Sequence, residues 1–167
     1  ENNQDNYFIY KNFMDKKDSL RLENQVCFPL YACAREVVKA YRPHLDALGL
    51  TYTQYISMMV LWEEGKVSVR DLGRKLHLDS GTLTPLLKKL ESKGYLKRER
   101  STVDERVVIA CITEEGRKLK RAAAKIPQAM AKEITDFPME DAQELYRLLY
   151  KLIGLLELCN SQQDEKK

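Results

Sequence analysis

The segment Lys66–Arg106 constrains the fold of this chain more than any other, because its hydrophobic period changes midway. Two short helical patterns come first, 69–76 and 80–93, and Ser68 is a favourable N-cap for the first of them. A short turn separates the two patterns, and Gly94 ends the second. The apolar residues of the second pattern share one face: Leu83, Leu86, Leu87 and Leu90. This order predicts a helix-turn-helix.

The opposite face of the second helical pattern is polar and basic. Helices that read DNA place such a face in the major groove, with their N-terminal residues against the base edges. The sequence therefore predicts a recognition helix. We expect its DNA contacts to come from Ser80, Thr82, Thr84, Lys88 and Lys89.

The residues after Gly94 change to a strand-like pattern. Two β-prone runs, 95–100 and 107–112, enclose a polar loop at 101–105 and predict a hairpin with a charged tip. A helix in the major groove and a basic hairpin at the adjacent minor groove together fix the register of a protein on a duplex. We therefore expect a winged helix-turn-helix.

The charge distribution supports a nucleic-acid partner. Residues 66–106 contain eleven Lys or Arg and six Asp or Glu, about +5, within a chain whose net charge is only +3. A local basic patch of this kind is typical of proteins that bind phosphate backbones. The alternative is a helical hairpin beside a β-ribbon with ordinary solvated charges.

Three motifs in and just after this segment resemble those of the MarR family of bacterial transcription regulators. They are Lys-Gly-Tyr-Leu-Lys-Arg at 93–98, Asp-Glu-Arg at 104–106 and Thr-Glu-Glu-Gly at 113–116. The resemblance extends over roughly Leu20 to Asn160. It implies double-stranded DNA as the partner, with Arg106 entering the minor groove and Asp104 orienting that arginine.

Long helical patterns flank the winged helix. A pattern from Ser19 to about Leu48 is interrupted by Pro29, which places a helix start or a kink just before that proline. Thr51 and Gln54 form a capping-box sequence for the next helix. Thr113 caps a further helix that Pro127 should bend, and the last helix carries an apolar stripe at Leu145, Leu149, Leu152 and Leu156.

These terminal helices have more apolar surface than a small winged helix can cover, so we predict a homodimer built from the first helix and the last two. An intrachain bundle is the alternative.

The fold class is mainly α with a small β-hairpin wing (α+β). The expected organisation is a flexible arm (1–18), dimerisation and sensor helices (19–65), the DNA-binding unit (66–112), dimerisation helices (113–160) and a flexible tail (161–167). Position 1 is not Met, and Met14 is a candidate natural start.

Composition excludes several classes of protein. The chain of 167 residues is long enough for one sizeable core. It has no apolar run approaching the roughly 20 residues of a membrane span and no signal-peptide pattern, so we expect a cytoplasmic protein. Its four cysteines show no Cys-x-x-Cys spacing and only two histidines accompany them, so we expect no metal site, no cofactor and no disulfide framework.

Cys27 is the cysteine best placed for chemistry. It lies close to a predicted helix N-terminus and on the same stripe as Leu30, which predicts that it is sheltered. A thiolate is the species that attacks a peroxide, and a helix N-terminus with phenol donors would stabilise it. Oxidation yields a sulfenic acid, which then condenses with a thiol or a backbone nitrogen.

Four segments resemble one branch of the family, the OhrR-like repressors that sense organic hydroperoxides: 22–31, 41–43, 48–52 and 79–88. The resemblance implies that Cys27 is the redox sensor and that Tyr41 and Tyr52 hydrogen-bond to it from the two sides of a dimer pocket. Tyr31 lies one turn beyond Cys27, so we expect it to add a third wall. It also implies an inverted-repeat (pseudopalindromic) operator, with half-sites about 10 bp apart, that controls peroxide-detoxification genes.

The fate of an oxidised Cys27 stays open. Some relatives have a resolving cysteine in the helix after the wing, but 113–138 contains none, which favours capping by a low-molecular-weight thiol. A sulfenamide, or a disulfide with Cys111 or Cys159, is an alternative. Cys33 follows Cys27 by six residues, too far for the i+3 or i+4 contacts of a helix.

Two other functions fit parts of this pattern. One is a repressor that releases DNA when a phenolic or lipophilic ligand binds non-covalently in the same pocket. The other is a thiol peroxidase, but the chain lacks an arrangement of Arg or Glu that would activate a peroxide, and a peroxidase has no use for a basic wing. We therefore expect a regulator and not an enzyme.

Overall fold

A computed structural model describes residues 20–133 and 135–164. The predicted N-terminal arm, 1–18, lies outside the described residues, as do the last three residues of the predicted tail. The chain divides into two compact units, 1–126 and 127–167. Helices dominate the described residues, and one three-stranded antiparallel sheet accompanies them, so the predicted α+β fold class is confirmed.

The first unit contains, after a short 3-10 turn at Leu22–Asn24, five helices and three strands that lie wholly within its described part. In chain order they are α1 (Cys27–Asp46), α2 (Tyr52–Glu64), β1 (Lys66–Ser68), α3 (Val69–Leu76), α4 (Ser80–Ser92), β2 (Leu96–Arg100), β3 (Val108–Ile112) and α5 (Glu114–Ala123). Helix α6 (Ile126–Glu133) begins at the last residue of this unit.

Local capping signals determine where several of these helices begin. Thr51 caps α2 with the predicted capping box, because its hydroxyl accepts from the Gln54 amide while the Gln54 side chain accepts from the Thr51 amide. Gly65, at φ +74°, ends that helix in a conformation that favours glycine. Ser68 and Thr113 cap α3 and α5 as predicted.

Helix α1 is shorter than its sequence pattern. The pattern extends from Ser19, whereas the helix begins at Cys27 and places Pro29 at its third residue. A proline lacks an N–H, and the first turn of a helix has no intrahelical acceptor for one, so Pro29 fits there without loss. The predicted helix start just before Pro29 is therefore confirmed.

The helix-turn-helix consists of α3 and α4. His77 adopts a left-handed conformation (φ 51°) in the turn between them, and a Cβ on Gly73 would lie 2.8 Å from the Leu78 carbonyl oxygen. This close approach requires glycine. Asp79 then caps α4, whose buried face is the predicted one: Leu83, Leu86, Leu87 and Leu90.

The wing is the hairpin of β2 and β3, and β1 pairs with the other side of β3 to give the order β1-β3-β2. Leu96 lies opposite Ile112, and Val67 lies opposite Ala110; all four side chains are buried. The sequence did not predict β1. Three residues are too few for a recognisable alternation, and their strand conformation depends on pairing with a segment more than forty residues away.

The region after the wing differs from its prediction at one point. A single helix bent at Pro127 was expected after the wing, but α5 and α6 are separate helices with a turn at 124–125. The reason is that Pro127 is the second residue of α6, where its missing N–H is tolerated, and it cannot continue a preceding helix.

The last helix, α7 (Met139–Asp164), extends into the predicted tail. No helix among the described residues is long and apolar enough to cross a membrane.

Candidate functional site

Cys27 is the first residue of α1 and is exposed. The prediction that it is sheltered is therefore wrong for the single chain. Cys27 shares an apolar stripe with Leu30 and Val37, whose side chains are themselves about two-fifths exposed (40% and 41%). The described residues therefore cover the N-terminal half of that stripe only in part, whereas Leu45 near its other end is buried. At the helix N-terminus the thiol lies at the positive end of the helix dipole, which favours an anion.

Two of the predicted sensor tyrosines lie together at the other end of α1. The rings of Tyr41 and Tyr52 pack edge to face, with their centroids 5.1 Å apart. Tyr55 lies 6.1 Å beyond Tyr41, and the Trp62 ring lies 6.1 Å beyond Tyr55. Burial, and secondarily the neighbouring Tyr52, raises the pKa of Tyr41 above its ordinary value. The Tyr41 phenol therefore keeps its proton at neutral pH and can donate a hydrogen bond.

Tyr31 is separate from this pair. Its ring is exposed and stacks against Arg35, whose guanidinium carbon lies 5.7 Å from the ring centroid and whose Nη1 donates to the Tyr31 hydroxyl at 3.2 Å. An open groove of about 800 Å³ connects the two regions. It is lined by Tyr31, Ala34, Arg35, Glu36, Val38, Lys39, Arg42, Leu45, Asp46, Leu50, Thr51 and Tyr52.

The structure does not bring Cys27 to the Tyr41–Tyr52 pair within one chain. Cys27 and Tyr41 are fourteen positions apart on the same helix, which corresponds to about 21 Å along its axis. Any contact between the thiol and the tyrosine pair therefore needs a second copy of the chain.

The predicted DNA-contacting face of α4 is exposed throughout: Ser80, Thr82, Thr84, Lys88 and Lys89 all lie on it. Asp79 holds the start of this helix, because one carboxylate oxygen accepts from the Thr82 amide at 2.9 Å and the other from the Thr82 hydroxyl at 2.8 Å. These bonds, the one from the Thr82 hydroxyl first, lower the pKa of Asp79.

The wing tip holds Arg106 at an exposed position. The Asp104 carboxylate accepts from the Arg106 backbone amide at 3.0 Å, so it fixes the backbone from which the guanidinium extends. Arg100 steadies the same loop by donating to the carbonyl oxygen of Glu105 at 2.7 Å. The loop therefore exposes the Arg106 guanidinium on a backbone that two hydrogen bonds hold in place.

A half-buried ion pair ties α4 to the wing. The Glu91 carboxylate accepts from the backbone amide of Arg98 at 2.9 Å, and from its Nε and Nη2 at 2.9 and 2.6 Å. These bonds, with the guanidinium first, lower the pKa of Glu91. The recognition helix and strand β2 are thus fixed relative to each other by three charge-assisted bonds.

Comparison with known proteins identifies the family. The family model described as transcriptional regulator SarA/Rot matches residues 39–123. The organic hydroperoxide resistance transcriptional regulator of Bacillus subtilis is 44% identical over 87% of this chain and 99% of its own length. The chain belongs to the MarR family of transcriptional regulators.

Solved structures agree with this MarR-family assignment. Reduced AbfR bound to DNA has a TM-score of 0.70 and 33% identity, covering 84% of this chain and 97% of its own. Disulfide-formed AbfR has a TM-score of 0.60 and 35% identity, covering 85% and 97%. AbfR is a protein of Staphylococcus epidermidis. The predicted winged-helix fold is therefore confirmed by neighbours of related sequence.

The other cysteines of this MarR-family chain are free, as Cys27 is. Cys33 and Cys159 are exposed, and Cys111 is half-buried on the sheet, paired in register with Lys66 and Lys97. The single chain therefore covers part of the Cys111 side chain and leaves that of Cys159 exposed.

Some side chains important to this MarR-family fold were not found from the sequence. The Trp62 Nε1 donates to the Gly116 carbonyl oxygen at 2.7 Å, and Lys93 donates to the Gly49 carbonyl oxygen. Both bonds join residues more than forty positions apart, so no local pattern indicates them. The Glu91 partnership has only a weak signal, a Glu near the end of a helix followed by an Arg in the next strand.

Proposed function

We propose that this chain is a homodimeric, redox-sensing transcriptional repressor whose Cys27 reacts with organic hydroperoxides and thereby releases the protein from DNA. One observation carries the proposal: a single helix, α1, begins with an exposed thiol and carries, about 21 Å along its axis, one member of the packed Tyr41–Tyr52 pair. The two halves of a sensor are present but separated.

A twofold axis that crosses α1 near its middle would join these halves. It would place the two copies of α1 antiparallel, with Cys27 of each copy against Tyr41 and Tyr52 of the other. Ala34, the residue midway between Cys27 and Tyr41, has a small exposed side chain that permits close approach. The 800 Å³ groove, which Ala34 and Tyr52 both line, gives room for the second copy.

The chemistry follows from the groups so assembled. The N-terminus of α1 and the protonated Tyr41 phenol stabilise a Cys27 thiolate. The thiolate attacks the terminal oxygen of a hydroperoxide ROOH, the one that carries the hydrogen: an S–O bond forms, the O–O bond breaks, and the alkoxide leaves and takes a proton from water to become the alcohol ROH. Sulfur loses two electrons and becomes a sulfenic acid. A small thiol then forms a mixed disulfide with release of water.

The exposed apolar side chains of α7 supply the rest of the proposed dimer interface. Leu145, Leu148, Leu155, Leu156 and Leu158 are between 42% and 64% exposed in the single chain. A helix with this much uncovered apolar surface is typical of an obligate interface. We infer that α7 packs against a second copy.

Two copies present two recognition helices to one duplex. The operator is then an inverted repeat with half-sites about one helical turn, roughly 10 bp, apart. Helix α4 enters the major groove, and Arg106, held by Asp104, enters the minor groove. Oxidation adds an oxygen and then a small thiol to the Cys27 sulfur, which breaks its hydrogen bonds with the tyrosines. Helix α1 then shifts, and the two α4 helices leave the half-site spacing. By analogy with the Bacillus subtilis relative, the controlled genes encode peroxide detoxification in the cytoplasm.

A second candidate is a repressor that responds to a phenolic or lipophilic ligand bound without covalent chemistry. The lining of the groove favours it, because apolar Val38 and Leu45 lie beside the cations of Arg35, Lys39 and Arg42. In that case a phenol would release DNA in the absence of oxidant.

The test is fluorescence anisotropy of the reduced protein on the duplex upstream of its own coding region. We expect tight, salt-dependent binding, release by cumene hydroperoxide, and recovery when excess thiol is added. Release by a phenol alone, with no response to the hydroperoxide, would favour the second candidate. Failure of the reduced protein to bind any duplex would refute both.

A further inference from the structure

The hydroxyl of Thr82 already donates its proton in a hydrogen bond within the protein. Its Oγ1 lies 2.8 Å from Asp79 Oδ2, and its backbone amide lies 2.9 Å from Asp79 Oδ1. Those hydrogen bonds lower the pKa of Asp79, so this carboxylate carries no proton at neutral pH and can only accept. The Thr82 hydroxyl must therefore be the donor in the bond between them.

A hydroxyl has one proton and two lone pairs. With its proton committed to Asp79, Thr82 can offer only acceptor lone pairs to a further partner. Thr82 is exposed in the first turn of α4, the part of a recognition helix that reaches base edges. The hydrogen bond to Asp79 thus determines which base groups the Thr82 hydroxyl can recognise.

In the major groove only two base edges donate hydrogen bonds, the N6 amino group of adenine and the N4 amino group of cytosine. Guanine and the O4 of thymine offer acceptors, which would face the Thr82 lone pairs without a proton between them. We infer that Thr82 is a specificity-determining residue that accepts a hydrogen bond from an exocyclic amino group of adenine or cytosine, because Asp79 holds its proton. This inference rests on the proposed docking of α4 in the major groove.

Substitutions separate this role from simple capping. Thr82→Ser keeps the hydroxyl and its bond to Asp79, whereas Thr82→Val keeps the shape and loses the acceptor. Asp79→Asn keeps a good N-cap residue, but its amide can donate to Thr82 Oγ1 and so free the hydroxyl proton for DNA. Asp79→Asn also removes a negative charge near the phosphates, which strengthens binding to all sequences alike, so base preference is the informative readout and total affinity is not.

The experiment selects duplexes from a randomised pool with the full-length reduced protein and each variant, and then measures affinities with one base pair changed at a time. We expect one position per half-site at which wild type prefers adenine or cytosine by about fivefold over thymine or guanine. Thr82→Ser should keep that preference, Thr82→Val should lose it, and Asp79→Asn should move it toward guanine or thymine.

Base analogues then identify the amino group. Purine deoxyriboside in place of adenine, or 2-pyrimidinone in place of cytosine, removes only that group, and whichever analogue weakens wild-type binding without affecting Thr82→Val names the base. The inference is overturned if Thr82→Val keeps the wild-type profile at every position, or if the position it changes prefers guanine or thymine. A wild type without any sequence preference would instead refute the proposed function, and the inference with it. Circular dichroism of each variant checks that the helical content of the chain is unchanged.

Discussion

Replacing Cys27 by serine should abolish the release of DNA by organic hydroperoxide and leave the affinity of the reduced protein within about twofold of wild type. The reason is that serine has no sulfur to oxidise, while its small hydroxyl can still hydrogen-bond to the tyrosines. Position 27 also lies at the exposed start of α1, outside the DNA-binding unit. Anisotropy titrations with cumene hydroperoxide, on the duplex bound by the wild type, measure both quantities.

The matched control is Cys33→Ser, which changes another exposed cysteine of the same helix. It should respond to peroxide as the wild type does. If Cys27→Ser still releases DNA and Cys33→Ser does not, the sensor is Cys33. If both still respond, the oxidised group is another cysteine, and the proposed role of Cys27 is wrong.

Gly116→Ala should destabilise the fold by about 3 kcal/mol, at the upper end of the usual cost of overpacking. A Cβ at this position would overlap the backbone carbonyl oxygen of Tyr95 and lie 3.0 Å from an Ile112 side-chain carbon. Two further bonds fix the same residue, since its amide donates to the Thr113 hydroxyl and its carbonyl accepts from Trp62. The backbone of α5 must therefore move away from Tyr95, the residue just before strand β2.

Urea unfolding at a fixed protein concentration measures this loss, with the fluorescence of the single tryptophan, Trp62, as the signal. Gly154→Ala is the control, because within the single chain a Cβ there would meet nothing within 4 Å and alanine favours the interior of α7. It should leave the free energy of unfolding unchanged or slightly higher. Equal effects of the two substitutions would show that the contact with Tyr95 does not constrain the fold.

The sequence predicted those parts of the fold that depend on neighbours in the chain. Caps at Thr51, Ser68 and Thr113, the apolar face of α4 and the two strands of the wing all follow from spacings of a few residues, and all are confirmed. Strand β1 and the bond from Trp62 to Gly116 depend on segments brought together only by folding, so local patterns contain no signal for them.

In the candidate site, too, the sequence predicted which residues are involved but not the contacts that depend on distant parts of the structure. Its residues were named from motifs, and the structure brings Tyr41 and Tyr52 into contact. The prediction that Cys27 is sheltered was wrong for the single chain. An apolar stripe on a helix shows which face is apolar, but it does not show which residues cover that face. In the proposed dimer the cover comes from a second copy, which no pattern within one chain describes.

The central claim is that Cys27 of one copy reacts beside Tyr41 of the other, and mixed dimers test it most directly. Tyr41→Phe removes one hydrogen bond to the thiolate and should slow peroxide oxidation about tenfold. Dimers of two differently tagged chains, purified through both tags, are then oxidised with limiting cumene hydroperoxide, and sulfenic acid formation is followed with a dimedone-type trap.

A dimer of Cys27→Ser with Tyr41→Phe contains one complete site only if the site is shared between copies. We expect this dimer to react at the wild-type rate through its single thiol at position 27, and we expect a dimer of wild type with the Cys27→Ser/Tyr41→Phe double variant to react at the slow rate. The reverse pattern, a slow first dimer and a fast second one, would place thiol and tyrosine in the same copy and contradict the account.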